Sequence, residues 1–388
     1  MEKRMPRTLK LAAVQMDANP APTAERLARA GRLVTAAAEA GARLVVLPEL
    51  FNTGYAYTDD NHRLAEPLNG PTASWMKEAA ARLDVHLAGS LMLLDQDEVF
   101  NSLLLFAPDG RMWRYDKHYP WAWERGYFRD GQRITVADTD LGRIGMMICW
   151  DVAHPRLWAR YAGRVDLMVI ASCPPDVSNP TFHFPNGDSL TFDDMGPIMS
   201  SMKGTGPLVF GNMVNRQTRW LGVPAVHTVG SGHIRTEVPN GLGSFLTFLP
   251  LAPWLVTYLP QANRMQMSCD MIQGCKVVDA GGEILTELTQ AQGETFTVAE
   301  VTLADETSRP RGPQPAAPVP FLTYLSSDIL LPLLTIPTYR RGLRRTWGDG
   351  MAPVATSTRN WTILLGLSVV VSLLVGLLLG RRKHRSQS

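Results

Sequence analysis

Gly142-Arg-Ile-Gly-Met-Met-Ile-Cys149-Trp-Asp151 decides how this chain is read. The apolar run 144–148 is short and continuous, and it reads as a strand. A cysteine at the end of such a strand is aimed by a fixed backbone, although a lone cysteine after an apolar run is more often a core residue. Working outward, two other runs have the same form. Upstream is Arg43-Leu-Val-Val-Leu-Pro-Glu49-Leu-Phe51-Asn-Thr-Gly-Tyr55, and between the two lies Tyr115-Asp-Lys117-His-Tyr-Pro-Trp-Ala-Trp-Glu124. A thiol needs a base to become a nucleophile, and the oxyanion formed on attack needs a positive partner. Glu49, Lys117 and Cys149 bring one carboxylate, one ammonium and one thiol, and that chemistry needs no metal.

Around these runs, apolar strand-like segments alternate with helical patterns from residue 10 to about 305. Strands are predicted at 44–47, 85–92, 102–106, 144–148, 167–171, 208–213 and 296–301. A helix is predicted at 24–40, with Gly41 as its stop. Turn signals stand at Pro108-Asp-Gly-Arg111 and Ala280-Gly-Gly-Glu283. The alternation implies an α/β fold in which a sheet is covered by helices.

The 388 residues exceed one typical domain but also suit a large α/β domain with appendages. Apolar residues make up 45% of the chain and charged residues 19%, ample material for a core. A net charge of +2 makes no overall case for nucleic-acid binding. Cys149, Cys173, Cys269 and Cys275 have no CxxC or metal-finger spacing, so free thiols in a reducing compartment are expected. Neither metal-ligand clusters nor phosphate-binding glycine loops are evident, and no cofactor is expected.

The C-terminal part has a different character. Residues 309–320 hold five prolines and read as a stiff linker within 306–320. Residues 321–347 join an apolar stretch to Arg340, Arg341, Arg344 and Arg345. They read as an interfacial segment touching anionic headgroups, with a docking arm on the protein's own surface as the alternative. Residues 361–380 carry no charge over 20 positions, spanning roughly 30 Å as a helix, and basic residues follow. A single-pass C-terminal transmembrane helix is expected there. Because 1–10 leads into a strand-like run and not a signal peptide, the catalytic body is expected on the cytoplasmic side. Within this span Ser368, Ser372, Gly376 and Gly380 form a small-residue stripe. Residues 242–260 are a second charge-free stretch, interrupted by Gly243, Pro250 and Pro253. They read as a membrane-touching flap, with a buried dimer interface as the alternative.

Taken together, the three motifs make residues 9–305 resemble the nitrilase, or carbon–nitrogen hydrolase, superfamily. Their spacing fits, with 68 residues from Glu49 to Lys117 and 32 more to Cys149. The resemblance implies a four-layer αββα sandwich and a homodimer or higher homo-oligomer. It makes Glu49 the general base, Lys117 the oxyanion stabiliser and Cys149 the nucleophile. Glu124 matches a second carboxylate that helps position Lys117; the alternative is an ordinary surface charge. Trp121, Trp123, Trp150 and His154 flank these positions as candidate substrate-binding residues, with plain packing as the alternative. Cys149-Trp-Asp-Val-Ala153 departs from the Glu-Asn that commonly follows Cys-Trp in nitrilases, which favours an amide or carbamoyl substrate over a nitrile.

The expected function is a membrane-anchored amidohydrolase of the amidase-like branch working through a thioester, on a small amide that is lipophilic if the membrane elements serve catalysis. Its alternatives are a nitrile hydrolase, an acyltransferase passing the acyl group to an amine, and a non-enzymatic membrane scaffold. Expected partners are the small-molecule substrate and membrane lipids.

Overall fold

The computed structural model describes residues 7–250, 252–304 and 308–348. Its frame is two sheets stacked face to face. The first runs in spatial order 230–231, Arg7–Asp17, Leu44–Val46, His86–Asp95, Glu98–Phe106 and Met112–Asp116, with Thr295–Leu303 also pairing antiparallel to Arg7–Asp17. The second runs Ile284–Glu287, Lys276–Val278, Ala225–Thr228, Leu167–Ala171, Gly142–Ile148 and Val136–Thr139. A smaller four-stranded sheet joins 189–191, 181–183, 266–270 and 233–237.

Strand periodicity explains the layering. On the strand Arg7–Asp17, Leu9, Leu11 and Ala13 pack in the core between the sheets, with Ile144, Met146, Ile148 and Val226. The alternate residues Ala12, Val14 and Met16 face a second core, built with Ala30, Val34 and Met76 of the helices Thr23–Glu39 and Pro71–Leu83. Successive side chains point to opposite faces, so a strand apolar at both sets of positions must be covered on both sides. The helices Pro155–Tyr161 and Val214–Leu221 cover the second sheet, completing an αββα sandwich.

One element differs from the sequence expectation. Residues 208–213 form a π-helical turn, Leu208–Met213, that continues into the helix Val214–Leu221. Burial at Val209, Phe210, Met213, Val214, Gln217 and Thr218 follows a helical repeat. A short apolar run is ambiguous between strand and helix, and here the repeat extends beyond the run itself.

The proline-rich stretch is tied to the body: Arg311 N–H donates to Trp220 O (2.8 Å), and Gln217 and Gln314 side chains donate to Pro315 O and Pro155 O. Residues 321–347 then form Phe321–Tyr324, a π-helical turn Leu325–Leu330 and the helix Leu331–Trp347. Leu331, Thr335, Thr338, Tyr339, Gly342 and Leu343 are buried at helical spacing, while Arg341, Arg344 and Arg345 are exposed. This segment, 321–347, is a strap held against the body. Residues 242–260 contribute a helix, Gly241–Leu246, and the 3-10 helical Pro253–Arg264. Phe245, Phe248 and Leu255 turn inward, whereas Leu242, Leu246, Trp254 and Val256 are exposed. Among the described residues no helix is long and apolar enough to cross a membrane. The transmembrane expectation for 361–380, with its small-residue stripe, lies outside the described residues.

Candidate active site

Three strand ends converge at one place. The first sheet supplies Glu49 just past the strand Leu44–Val46 and Lys117 just past Met112–Asp116; the second supplies Cys149 just past Gly142–Ile148. Two of the three turns carry positive φ at non-glycine residues: Leu50 (51°) beside Glu49, and Cys149 itself (48°). Ala122 (40°), in the loop between Lys117 and Glu124, is a third. Such residues cost about 1–3 kcal/mol each and persist only where the surroundings hold them, which is common where a reactive group must be presented.

Asp151 braces two of the turns. Its carboxylate accepts from Ile148 N–H (3.1 Å) on the cysteine side, and from His118 N–H (3.1 Å), Tyr119 N–H (2.9 Å) and Tyr115 OH (2.7 Å) on the lysine side. The relative positions of Lys117 and Cys149 are thereby fixed by a buried acceptor with four donors.

Lys117 Nζ donates to Glu49 Oε1 (2.8 Å) and to Glu124 Oε2 (2.6 Å), and all three side chains are buried. Glu49 also accepts from Asn101 Nδ2 (2.7 Å) and from Cys173 N–H (2.9 Å). Glu124 accepts from Tyr55 OH (2.7 Å) and Trp121 N–H (2.9 Å). Every carboxylate oxygen of the pair therefore has a donor, as burial of charge demands.

The electrostatics follow from this packing. Burial opposes charge on Lys117, yet Cys149, Glu124 and Glu49 together hold its ammonium well above the usual lysine range. Burial raises the Glu124 carboxyl; Lys117 opposes that rise and the like charge on Glu49 adds to it. Burial, then the charge on Glu49, push the Cys149 thiol well up, with Lys117 pulling the other way. A thiol in that condition keeps its proton until a base removes it. Arranged in this way, the cluster can accept a proton, present sulfur as a nucleophile and stabilise a developing negative oxygen.

Cys149 and Glu124 open into a cavity of about 1270 Å³, counting the solvent at its mouth. Its lining is mainly apolar, including Phe182, Phe192, Met199, Phe210, Phe248 and Ile272. Trp121, Trp123 and Trp150 line it as well. Glu49 and Lys117 are fully buried and do not line it. His154 is not brought to the cavity: it stacks on Tyr119 with centroids 3.5 Å apart, behind Trp150, and burial lowers its imidazole to about 3. Cys173 serves through its backbone N–H, and burial raises its thiol.

Sequence reasoning missed Asn101, Tyr55 and Asp328. Asn101 is a polar residue inside the otherwise apolar strand Glu98–Phe106, a signal that could have been used. Tyr55 closes the Glu49 run and lines the cavity. Asp328 accepts from Trp150 Nε1–H (2.9 Å) across 178 residues of chain, for which no local signal exists.

Residues 10–311 match the family model described as carbon-nitrogen hydrolase. A nitrilase of Pyrococcus abyssi is 30% identical over 151 residues, covering 38% of this chain and 58% of that protein. An (R)-stereoselective amidase of a Pseudomonas species is 30% identical over 148 residues, covering 38% and 53%. The matches thus span little more than half the length of these relatives. Among solved structures, Saccharomyces cerevisiae Nit3, a member of branch 10 of the nitrilase superfamily, superposes with a TM-score of 0.55 at 21% identity, covering 76% of this chain and 90% of that one. At that identity the likeness is one of fold.

Proposed function

The chain belongs to the carbon–nitrogen hydrolase family, and on that premise we propose that it is a cysteine amidohydrolase cleaving a non-peptide amide or carbamoyl bond through a thioester. The observation that carries the reading is the Lys117 ammonium held between the buried carboxylates of Glu49 and Glu124, beside Cys149. Glu49 takes the thiol proton and the Cys149 sulfur attacks the carbonyl carbon. Lys117 and the Trp150 backbone N–H hold the resulting oxyanion. As the carbon–nitrogen bond breaks, Glu49 returns the proton to the departing amine. Water, deprotonated by Glu49, then attacks the thioester, releasing the acid and restoring the thiol. Glu124 keeps Lys117 in place without joining the proton transfers.

The apolar cavity supports a lipophilic substrate, and the charge-free run 361–380 supports anchorage of the catalytic body at a membrane. The exposed Leu246, Trp254 and Val256 of the flap are compatible with contact to lipid.

The reading is tested by intact-mass spectrometry during turnover of a panel of short and long-chain amides and nitriles. A transient acyl adduct is expected on the wild-type protein with amides and none on Cys149→Ala. Turnover that survives Cys149→Ala would sink the cysteine mechanism, and turnover of nitriles alone would move the substrate class.

A further inference from the structure

The family match ends at residue 311, yet the cavity that holds Cys149 is completed by residues beyond that limit. Thr323, Leu325, Ser326, Ser327, Leu330 and Leu331, all from the strap, line it together with the family-derived residues. The strap reaches the cavity through its π-helical turn Leu325–Leu330. Wide turns of this kind often mark functional positions in helices.

The strap is also fastened at several separate points. Asp328 Oδ1 accepts from Trp150 Nε1–H (2.9 Å), so a strap carboxylate grips the residue that directly follows the nucleophile. Tyr324 OH donates to Ala153 O (2.5 Å) on the same turn. Asn240 Nδ2 donates to Leu334 O (2.8 Å), joining strap to flap. Tyr339 OH accepts from Val99 N–H (3.1 Å) and pairs with Glu98.

We propose that the strap is the specificity element of this enzyme: Leu325 and Leu330 form the wall against which the apolar part of an amide substrate rests, and Asp328 is a positioning residue that ties this wall to Trp150. The inference rests on the amidohydrolase reading for the reaction but not for the geometry. The apolar portion of the substrate lies between the strap wall and the phenylalanine-rich side of the cavity, with its carbonyl at Cys149. Substrate choice is then set by a part of the chain that lies outside the family-matched region.

The test measures alkylation of Cys149 in the full chain, in detergent, by a series of N-alkyl chloroacetamides from methyl to octyl. Cys149→Ala serves as the control for site. Leu330→Trp fills the wall and should lower the octyl-to-methyl rate ratio roughly tenfold, the loss expected when about two methylenes forfeit their burial. Leu325→Trp repeats the test if Leu330→Trp does not fold. Asp328→Leu should lower the ratio similarly, whereas Asp328→Asn, whose amide oxygen still accepts from Trp150, should restore it. A purely structural role for Asp328 would lower stability without moving the ratio. Ratios that stay within about twofold of wild type in both tryptophan variants overturn the proposal, and so does a wild-type Cys149 that no reagent reaches. Alkylation with the expected pattern but no turnover of any amide would instead sink the hydrolase reading and leave the strap wall standing.

Discussion

Lys117 stands between two buried carboxylates, those of Glu49 and Glu124. Buried ion clusters gain little over apolar packing, but removing one member strands the others at a cost of about 3–5 kcal/mol. Lys117→Met is therefore expected to lower the melting temperature markedly and to abolish the acyl adduct. Its pH dependence has a definite sign. The Glu124 carboxyl is raised in the folded protein, burial first and the like charge on Glu49 adding to it, with Lys117 opposing. An acid raised by folding binds its proton more readily when folded than unfolded. Its contribution to stability is therefore greatest at low pH and is lost as pH rises through the ordinary carboxylate range towards the raised value. Without Lys117 that decline should steepen, so thermal melts of Lys117→Met and wild type should diverge as pH rises from about 4 to 7. Parallel curves would mean that the two carboxylates are not coupled through the lysine. At this scale the sequence was legible for Glu49, Lys117, Cys149 and Glu124, because each stands in a recognisable local run. The placement of His154 away from the cavity was not legible, because its stacking on Tyr119 joins two residues from separate elements.

The strap is the element whose behaviour most separates local propensity from packing. Its Gly342 is helical, where alanine normally gains about 1 kcal/mol. A Cβ at Gly342 would lie 2.1 Å from His62 Cε1, a contact that one of the two elements must yield to. Gly342→Ala is thus expected to lift the helix Leu331–Trp347 from the body and to expose 321–347 to protease, despite its better helix propensity. Limited proteolysis with wild type alongside checks this; equal protection would show that His62 gives way instead. The π-helical Leu208–Met213 makes the same point from the other side. Its apolar run reads as a strand locally, and only the burial repeat continuing through Thr218 shows the helix.

At the scale of the molecule, the αββα body, the flap 242–260 and the strap frame one apolar cavity, and residues 361–380 follow without a charge. If that last run anchors the body at a bilayer, membrane-partitioned substrates are concentrated at the cavity. Deleting 361–388 should then reduce hydrolysis of long-chain amides presented in vesicles roughly tenfold or more, with little effect on short soluble amides. Equal loss on both would argue for a role in folding and against one in presentation. The same deletion should release the protein from the membrane fraction.

The sequence by itself determined most of the alternation of strands and helices, the run 208–213 excepted, and the places of Glu49, Lys117 and Cys149 just past strand ends. These are local properties: periodicity decides which faces are buried, and a run ending in a reactive residue decides where that residue is presented. Tertiary structure alone decided that Asn101 and Cys173 N–H hold Glu49, that Asp151 ties the lysine turn to the cysteine turn, and that Asp328 brings the strap to Trp150. Those contacts join residues far apart in the chain, and no neighbouring residue records a partner that only the packing of two sheets brings within hydrogen-bond distance.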